Sequence, residues 1–290
     1  MDISDLITFE AVLRLGSMNK AAAELHTVQS NVSSRIQALE RELGVALLQR
    51  HARGVSATPA GQRVLPLALR MQKLLVDVRN AATDDGEPAG AINLGTLETT
   101  AALRLAPMLS RFAHAFPQVR LGLRTGTTAG LTQQVLAGSL DGALVAAPVQ
   151  HAALCQEAVF TEELTLVTPP AVRRTADLEQ MADLRTVVFQ LGCSYRQRLD
   201  AYLAERGLLV SQPLEFGALD AVLACISAGI GISLLPRALV ERHARAGEVA
   251  LHELPDTQRW AQTVFIWRAD AYRSAALDAF LALARETAAA

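Results

Sequence analysis

The sequence predicts an α/β protein in three parts: a small helical domain, one long helix, and a larger region in which strands and helices alternate. Three observations carry this. Residues 19–62 hold two short apolar stripes at helical spacing on either side of a three-residue turn. Residues 64–82 repeat apolar side chains at intervals of four and three. Beyond a stretch containing Gly86, Pro88 and Gly90, short apolar runs alternate with helical patterns to the end of the chain. At 290 residues and 51% hydrophobic, the chain is long enough for two or three compact lobes.

In the first part, Ala21, Ala22 and Leu25 form the apolar stripe of one helix, and Val32, Ile36, Leu39 and Leu43 that of a second. His26-Thr27-Val28 is too short to be a separate element, so the two helices must meet steeply, as in a helix-turn-helix. The outward face of the second helix presents Gln29, Ser30, Asn31, Ser33 and Ser34, donors and acceptors suited to base edges, with Arg35 as a cation for phosphate. Ser and Asn are poor helix formers, and near a helix start they also serve as caps. The continuation favours recognition. Arg50 to Thr58 is a turn with two arginines, Arg50 and Arg53, and a glycine, closed by a Thr-Pro helix start, which reads as a β-wing beside the recognition helix.

The long helix begins at Thr58, with Pro59 in the first turn where its missing N–H costs nothing. Val64, Ala68, Met71, Leu75, Val78 and Ala82 form an a/d seam, which pairs with a second copy of the helix or packs on its own chain. Arg63, Arg70, Lys73 and Arg79 leave only one broad apolar face, and Pro66 is expected to kink the helix. The segment 84–90 is the hinge.

Strands are then expected at 91–95, 119–124, 142–146, 163–168, 186–190, 214–216, 232–235 and 263–267. Helices are expected at 99–115, 130–137, 194–206, 219–228 and 274–288. Two consecutive lobes with parallel sheets are the economical reading, the final helix packing back on the first lobe. In such folds ligands settle at the carboxyl ends of strands, where helix starts offer N–H groups. Four places qualify: Thr96 to Thr100, Thr125 to Thr128, Gln190 to Ser194, and Gly217-Ala218. A hydroxyl at a helix start is commonly a plain N-cap; four such clusters converging on one cleft would make a binding site.

The chain resembles the LysR-type transcriptional regulators. The N-terminal residues that carry this are Phe9, Ser17, Ala21-Ala22, Leu25, Gln29, Val32-Ser33, Ile36, Leu39-Glu40, Leu43-Gly44, Leu47, Arg50, Thr58 and Ala60-Gly61. Val28 and Leu48 depart from it, where the family often has Ser and Phe; Thr27 is expected to cap instead of residue 28. Further on, Ala113, Phe116-Pro117 and Val119 match, as do Leu136, Gly138, Leu140-Asp141, Ala143-Leu144 and the run from Gly229 to Pro236 apart from Ser233. The resemblance covers essentially the whole chain. It implies a winged helix-turn-helix DNA-binding domain (1–58), a linker and dimerisation helix (59–85) and a two-lobed effector domain like a periplasmic solute-binding protein (86–290). Lobe I would comprise about 90–161 and 268–290, and lobe II about 162–267, with crossings near 160–163 and 267–270.

The resemblance further implies double-stranded promoter DNA, a small-molecule effector and a second copy of the chain as partners, with two dimers joining into a tetramer. DNA would be held by Gln29, Ser30, Asn31, Ser33, Ser34, Arg35, Arg50 and Arg53. The effector would meet Glu98, Thr99 or Thr100, Thr127, Thr128, Gln190, Gly192, Cys193, Ser194 and Gly217. The register at 98–100 is open, because the spacing from Gly95 to Pro107 is one residue longer than usual in the family. Glu98 either complements its own helix dipole while facing solvent or sits in the cleft, where it would repel an anion and attract an amine.

Charge is weakly informative. The net is −2, and within residues 1–84 there are ten Lys/Arg against eight Asp/Glu, so DNA affinity would depend on where Lys20, Arg35, Arg50 and Arg53 sit and on two copies binding together. No apolar run spans a bilayer and no signal peptide opens the chain, which points to a cytoplasmic protein with no membrane partner. The three cysteines, Cys155, Cys193 and Cys225, have no metal-type spacing. Cys193 precedes a helix start with Arg196 and Arg198 one turn on, a setting that lowers a thiol pKa, so a thiol-based redox sensor is the alternative reading. No GxSxG, HExxH, phosphate loop or full dinucleotide fingerprint is present. No enzymatic activity and no cofactor are expected.

Overall fold

The computed structural model describes residues 1–52, 54–180, 184–189, 194–208, 210 and 213–289. They divide into two compact units: Met1–Asp85, with which Ala137–Ser139 group, and Gly86–Leu136 with Leu140–Ala290.

The first unit begins with α1 (Ile3–Leu15), entered through a reciprocal capping box between Asp2 and Asp5 and closed by Gly16 in the left-handed conformation. Next come α2 (Met18–Glu24), with Ser17 as N-cap, and α3 (Gln29–Leu43), closed by Gly44 at φ 68°. Leu6, Phe9, Val12, Ala21, Ala22, Val32, Ile36 and Leu39 from the three helices form one core with Leu47 and Ala68. Leu43, in the last turn of α3, is 40% exposed and stands outside it. No side chain caps α3: the N-cap residue is Val28, and Thr27 Oγ1 accepts from Asn31 Nδ2 (2.9 Å) instead of from the backbone.

Strands β1 (Leu48–His51) and β2 (Gly54–Ala57) pair antiparallel and form the wing. Val55 N–H donates to Gly16 O (3.0 Å), and Glu40 Oε1 accepts from Leu47 N and Leu48 N (2.7 and 3.0 Å), so the wing is tied to α1 and α3. Gly54 has φ +132°, and a Cβ there would lie 2.5 Å from Gly16 O. Only glycine fits at this contact.

Helix α4 (Pro59–Thr83) follows, its N-cap Thr58 accepting from Gly61 N (3.0 Å). Pro66 lies inside it, and the helical assignment continues past it. The expected apolar seam divides, with Met71 and Val78 exposed and its first members packed inward. Ala68 is fully buried and Val64 half-buried, both in the core of the first unit. The unpartnered stripe is instead Leu67, Met71, Leu74 and Val78, respectively 56, 40, 55 and 65% exposed. These too are spaced four, three and four, an a/d pattern one face over. The N-terminal turns of α4 use one apolar side within the domain and leave the other bare.

The second unit runs β3 (Gly90–Thr96), α5 (Glu98–Thr100), a π turn (Ala101–Leu105), α6 (Ala106–Ala115), β4 (Val119–Thr125), α7 (Thr128–Leu136), β5 (Gly142–Ala146) and β6 (Leu154–Thr168). It continues with a 3-10 turn (Thr175–Gln180), β7 (Val187–Phe189), α8 (Ser194–Ala204), β8 (Leu214–Phe216), α9 (Leu219–Ser227) and β9 (Ser233–Pro236). The last elements are α10 (Arg237–Arg245), β10 (Ala250–His252), α11 (Asp256–Arg259), β11 (Trp260–Arg268) and α12 (Ala275–Ala289). Among the described residues, no helix is long and apolar enough to cross a membrane.

The sheets are mixed, which corrects the expectation of two parallel ones. The main sheet has the order β10-β6-β11-β5-β3-β4, with β9 also on β6. Only β3–β4 and β3–β5 are parallel within it; β6 and β11 run antiparallel to each other and to the strands beside them. A separate parallel pair, β7–β8, belongs to lobe II. The cause is that β6 and β11 are shared between the lobes. Phe160 lies in the first lobe's core and Leu164 in the second's. On β11, Ala261 packs in the second lobe's core and Val264 in the first's, with a register shift between Thr263 and Val264. The second crossing is therefore at 261–264, not 267–270, and lobe II ends near residue 262 rather than 267.

Strand burial follows from this layering. On β5, Leu144 points to the core beneath α6 and α12, while Ala143 and Val145 point to the one beneath α7. Both faces are covered, and the strand reads as a continuous apolar run. Phe280 of α12 packs on Phe112 of α6 and Phe265 of β11, which seats the last helix on the first lobe.

Candidate nucleic-acid interface and ligand pocket

Two places gather the residues singled out above, one in each unit. In the first unit an open groove is lined by Leu15 to Lys20, Gln29, Arg50, His51, Ala52, Gly54 and Val55. It joins the α1–α2 turn, the start of α2, the start of α3 and the wing. Gln29 opens α3 and its Nε2 donates to Ser33 Oγ (3.1 Å), so these two side chains present their polar atoms together. Ser30, Asn31 and Ser34 are exposed on the same helix. An exposed helix N-terminus with amide and hydroxyl side chains is the geometry that enters a major groove and reaches base edges.

The cations divide. Arg50 and Lys20 are exposed and line the groove. Arg35 is turned the other way: its guanidinium reaches Ser4 Oγ and Asp5 Oδ1 (3.5 Å) on α1. Its charge is thus partly engaged within the domain, while the side chain remains 39% exposed. Arg53 lies outside the described residues. Ser17, Asn19 and His51 are groove residues that the sequence reading passed over; their place beside Lys20 and Arg50 follows from the turns that bring α2 and the wing together.

In the second unit a cavity of about 170 Å³ lies between the lobes. Leu97, Glu98 and Thr99 line it from the junction of β3 and α5, and Thr125, Gly126 and Thr127 from that of β4 and α7. Lobe II contributes Phe189 from β7, Ser194 and Tyr195 from α8, and Phe216 and Gly217 after β8. All four sites are strand ends at helix starts. Thr127 Oγ1 accepts from Gly130 N (3.2 Å) and so caps α7, leaving its own proton to donate.

Two expected residues turn away. Thr100 is buried but off the cavity, because adjacent helical side chains point about 100° apart; the lining threonine of this pair is Thr99. Thr128 faces β5, its hydroxyl accepting from Ala146 N (3.3 Å). Gln190, Gly192 and Cys193 lie outside the described residues. The aromatic wall of Phe189, Tyr195 and Phe216 was not anticipated. Its signal was an aromatic residue closing each of two short apolar runs, a pattern that core strands also show.

The described cysteines do not assemble a thiol site. Cys155 is on β6 and Cys225 on α9, both half-buried, with no disulfide. No group of three or more His, Cys, Asp or Glu among the described residues is placed to hold a metal.

Groove and pocket together define a class: a DNA-reading domain and a two-lobed ligand-binding domain in one chain. The family described as "Bacterial regulatory helix-turn-helix protein, lysR family" matches residues 3–62, and "LysR substrate binding domain" matches residues 85–289. The HTH-type transcriptional regulator GltR of Bacillus subtilis (strain 168) is 38% identical over 286 residues, covering 99% of this chain and 97% of its own. Among solved structures, a full-length OxyR variant from Pseudomonas aeruginosa aligns with a TM-score of 0.73 at 20% identity, over 99% of this chain and 94% of that one. Full-length CbnR in complex with its target DNA aligns with a TM-score of 0.54 at 23% identity, over 99% of this chain and all of that one. The chain belongs to the LysR family of transcriptional regulators, DNA-binding proteins that carry a substrate-binding domain.

Proposed function

We propose that this regulator reads promoter DNA through α3 and the wing and is controlled by a small molecule seated between the lobes of its second unit. Gln29, Ser30, Asn31, Ser33 and Ser34 make the base-side contacts; Arg50, with Lys20 and Arg53, holds phosphate. A second copy covers the bare stripe of α4, and two such dimers join as a tetramer. Four bare apolar side chains in a/d register on a 25-residue helix are the observation behind the dimer.

The observation that carries the ligand reading is the cavity itself. Four strand-end junctions, two from each lobe, bring hydroxyls and aromatic rings to one cavity. A molecule touching both lobes favours their closed arrangement by its differential affinity for it.

The test is calorimetry of effector binding. Thr127→Ala and Ser194→Ala should each weaken it by about 0.5–3 kcal/mol, the upper end applying where a charged group loses its partner. DNA affinity without effector should stay as in the parent protein. An effector whose affinity is untouched by both changes binds elsewhere.

A further inference from the structure

The pocket has a one-sided charge. Glu98 is the only ionisable acid or base among the described residues that line it, apart from the phenol of Tyr195. Between Phe189 and Ser194 the sequence Gln-Leu-Gly-Cys contains no Lys, Arg or His. Of the arginines nearby in sequence, Arg196 Nη1 donates to Glu215 Oε1 (2.5 Å), Arg198 Nη1 to Trp260 O (3.2 Å), and Arg104 to Glu162; Arg124, next to Thr125, is exposed on β4 and does not line the cavity. The Glu98 carboxylate makes no hydrogen bond or ion pair with any described residue, although the residue is partly buried. A carboxylate held at a cavity wall without a partner is a standing attraction for a positive group.

The aromatic part of the lining agrees, and it is set against the N-terminus of α8 at Ser194 and Tyr195, which by itself would favour an anion. Phe189, Phe216 and Tyr195 present rings to the same cavity, and ring faces attract a cation that has left water. The N-terminus of α7 would favour an anion, but Thr127 already satisfies the Gly130 N–H there, and Glu98 complements the start of α5. We propose that the ligand of this pocket carries a positively charged nitrogen, an ammonium or substituted ammonium, on a small apolar body. The nitrogen sits between the Glu98 carboxylate and the aromatic wall, with Thr127 and Ser194 contacting the remainder. This rests on the reading of the cavity as the effector site. The same ammonium chemistry is offered by a plain amine and by the zwitterion of an amino acid.

The experiment is calorimetric titration of the full-length protein with four matched probes: pentylamine, norvaline, pentanoate and pentanol. The amine or the zwitterion should bind about tenfold or more tightly than pentanoate and pentanol. Glu98→Gln should remove that preference while leaving pentanol unchanged. If norvaline binds and pentylamine does not, the ligand is a zwitterion; the reverse result makes it a simple amine. Tighter binding of pentanoate than of both amines, tighter binding of either amine by Glu98→Gln, or no response to either amine overturns the proposal. Phe216→Trp, which fills the cavity, separates the two levels of the argument. Pentanoate binding that is lost in Phe216→Trp keeps the pocket and rejects the positive charge. Amine binding that survives both Phe216→Trp and Glu98→Gln rejects the pocket.

Discussion

Gln29 and Arg50 border the same groove, and the proposed reading gives them different work on DNA. Gln29, hydrogen-bonded to Ser33 at the start of α3, is placed to read a base edge. Gln29→Ala should cost about 1–3 kcal/mol on the preferred sequence and little on random DNA, a difference that binding titrations on both duplexes would show. Arg50→Ala should weaken both alike and flatten the salt dependence of binding. A second residue sets a pH limit. His252 Nε2 lies 2.8 Å from Thr168 Oγ1, and burial pushes its imidazole pKa below the ordinary value near 6.5, with Asp177 opposing weakly. The folded state thus holds this histidine neutral, while the unfolded chain takes up a proton at the ordinary value. Its contribution to stability is complete above that value and falls as pH drops below it, until the folded pKa is reached. Urea denaturation at about pH 7.5 and about pH 5.5 should show a loss in the parent protein that is smaller in His252→Gln. Carboxylates such as Glu157, whose pKa Arg285 holds down, act in a separate window below about 4.5.

Helix α4 makes the clearest prediction among the elements. Its bare stripe is Leu67, Met71, Leu74 and Val78, so Leu74→Asp should separate the dimer, read as a fall in sedimenting mass at low concentration. An unchanged mass would mean that the stripe is not the interface. The sequence showed that α4 carries an a/d pattern but not which one, because Val64 and Ala68 satisfy the same spacing while packing on the helix-turn-helix core. Other elements differ for similar reasons. Strand β6 was legible only from residue 163 onward; its first half, with Gln156, Glu157, Thr161 and Glu162, has too little apolar alternation to announce a strand and is held by pairing with β11. Helix α10 has a single fully buried side chain, Val240, among charged neighbours, and left no apolar stripe to read. Between Gly95 and Pro107 the helix from Glu98 to Ala115 runs through a π turn at Ala101–Leu105, a geometry that holds one more residue per turn than an α-helix. On that turn Arg104 grips the buried Glu162 with two hydrogen bonds (2.8 and 3.3 Å), where β6 passes between the lobes. Arg104→Met should destabilise the second unit by about 1–3 kcal/mol by stranding that carboxylate, and Glu162→Leu in the same chain should restore much of the loss.

For the whole molecule, the alternation of apolar runs and the helix starts made most of the pocket readable in advance. Glu98, Thr99, Thr127, Ser194 and Gly217 all border the cavity, because strand ends in an α/β lobe place their next residues together. The aromatic wall and the true crossing at 261–264 were not readable, since a strand shared by two lobes looks in sequence like a strand of either. In the proposed function, occupancy of this cavity is felt at the DNA-binding surface, and thermodynamic linkage makes the effect reciprocal: a ligand that shifts DNA affinity must have its own affinity shifted by the same factor when DNA is bound. The most direct measurement takes a duplex selected by the protein from a random pool and whichever amine of the matched set binds. Amine affinity is then titrated with and without duplex, and duplex affinity with and without saturating amine. Coupling between cavity and DNA-binding surface gives equal, non-unit factors in the two directions, abolished by Phe216→Trp. Tight amine binding in the cavity with both factors equal to one would contradict it.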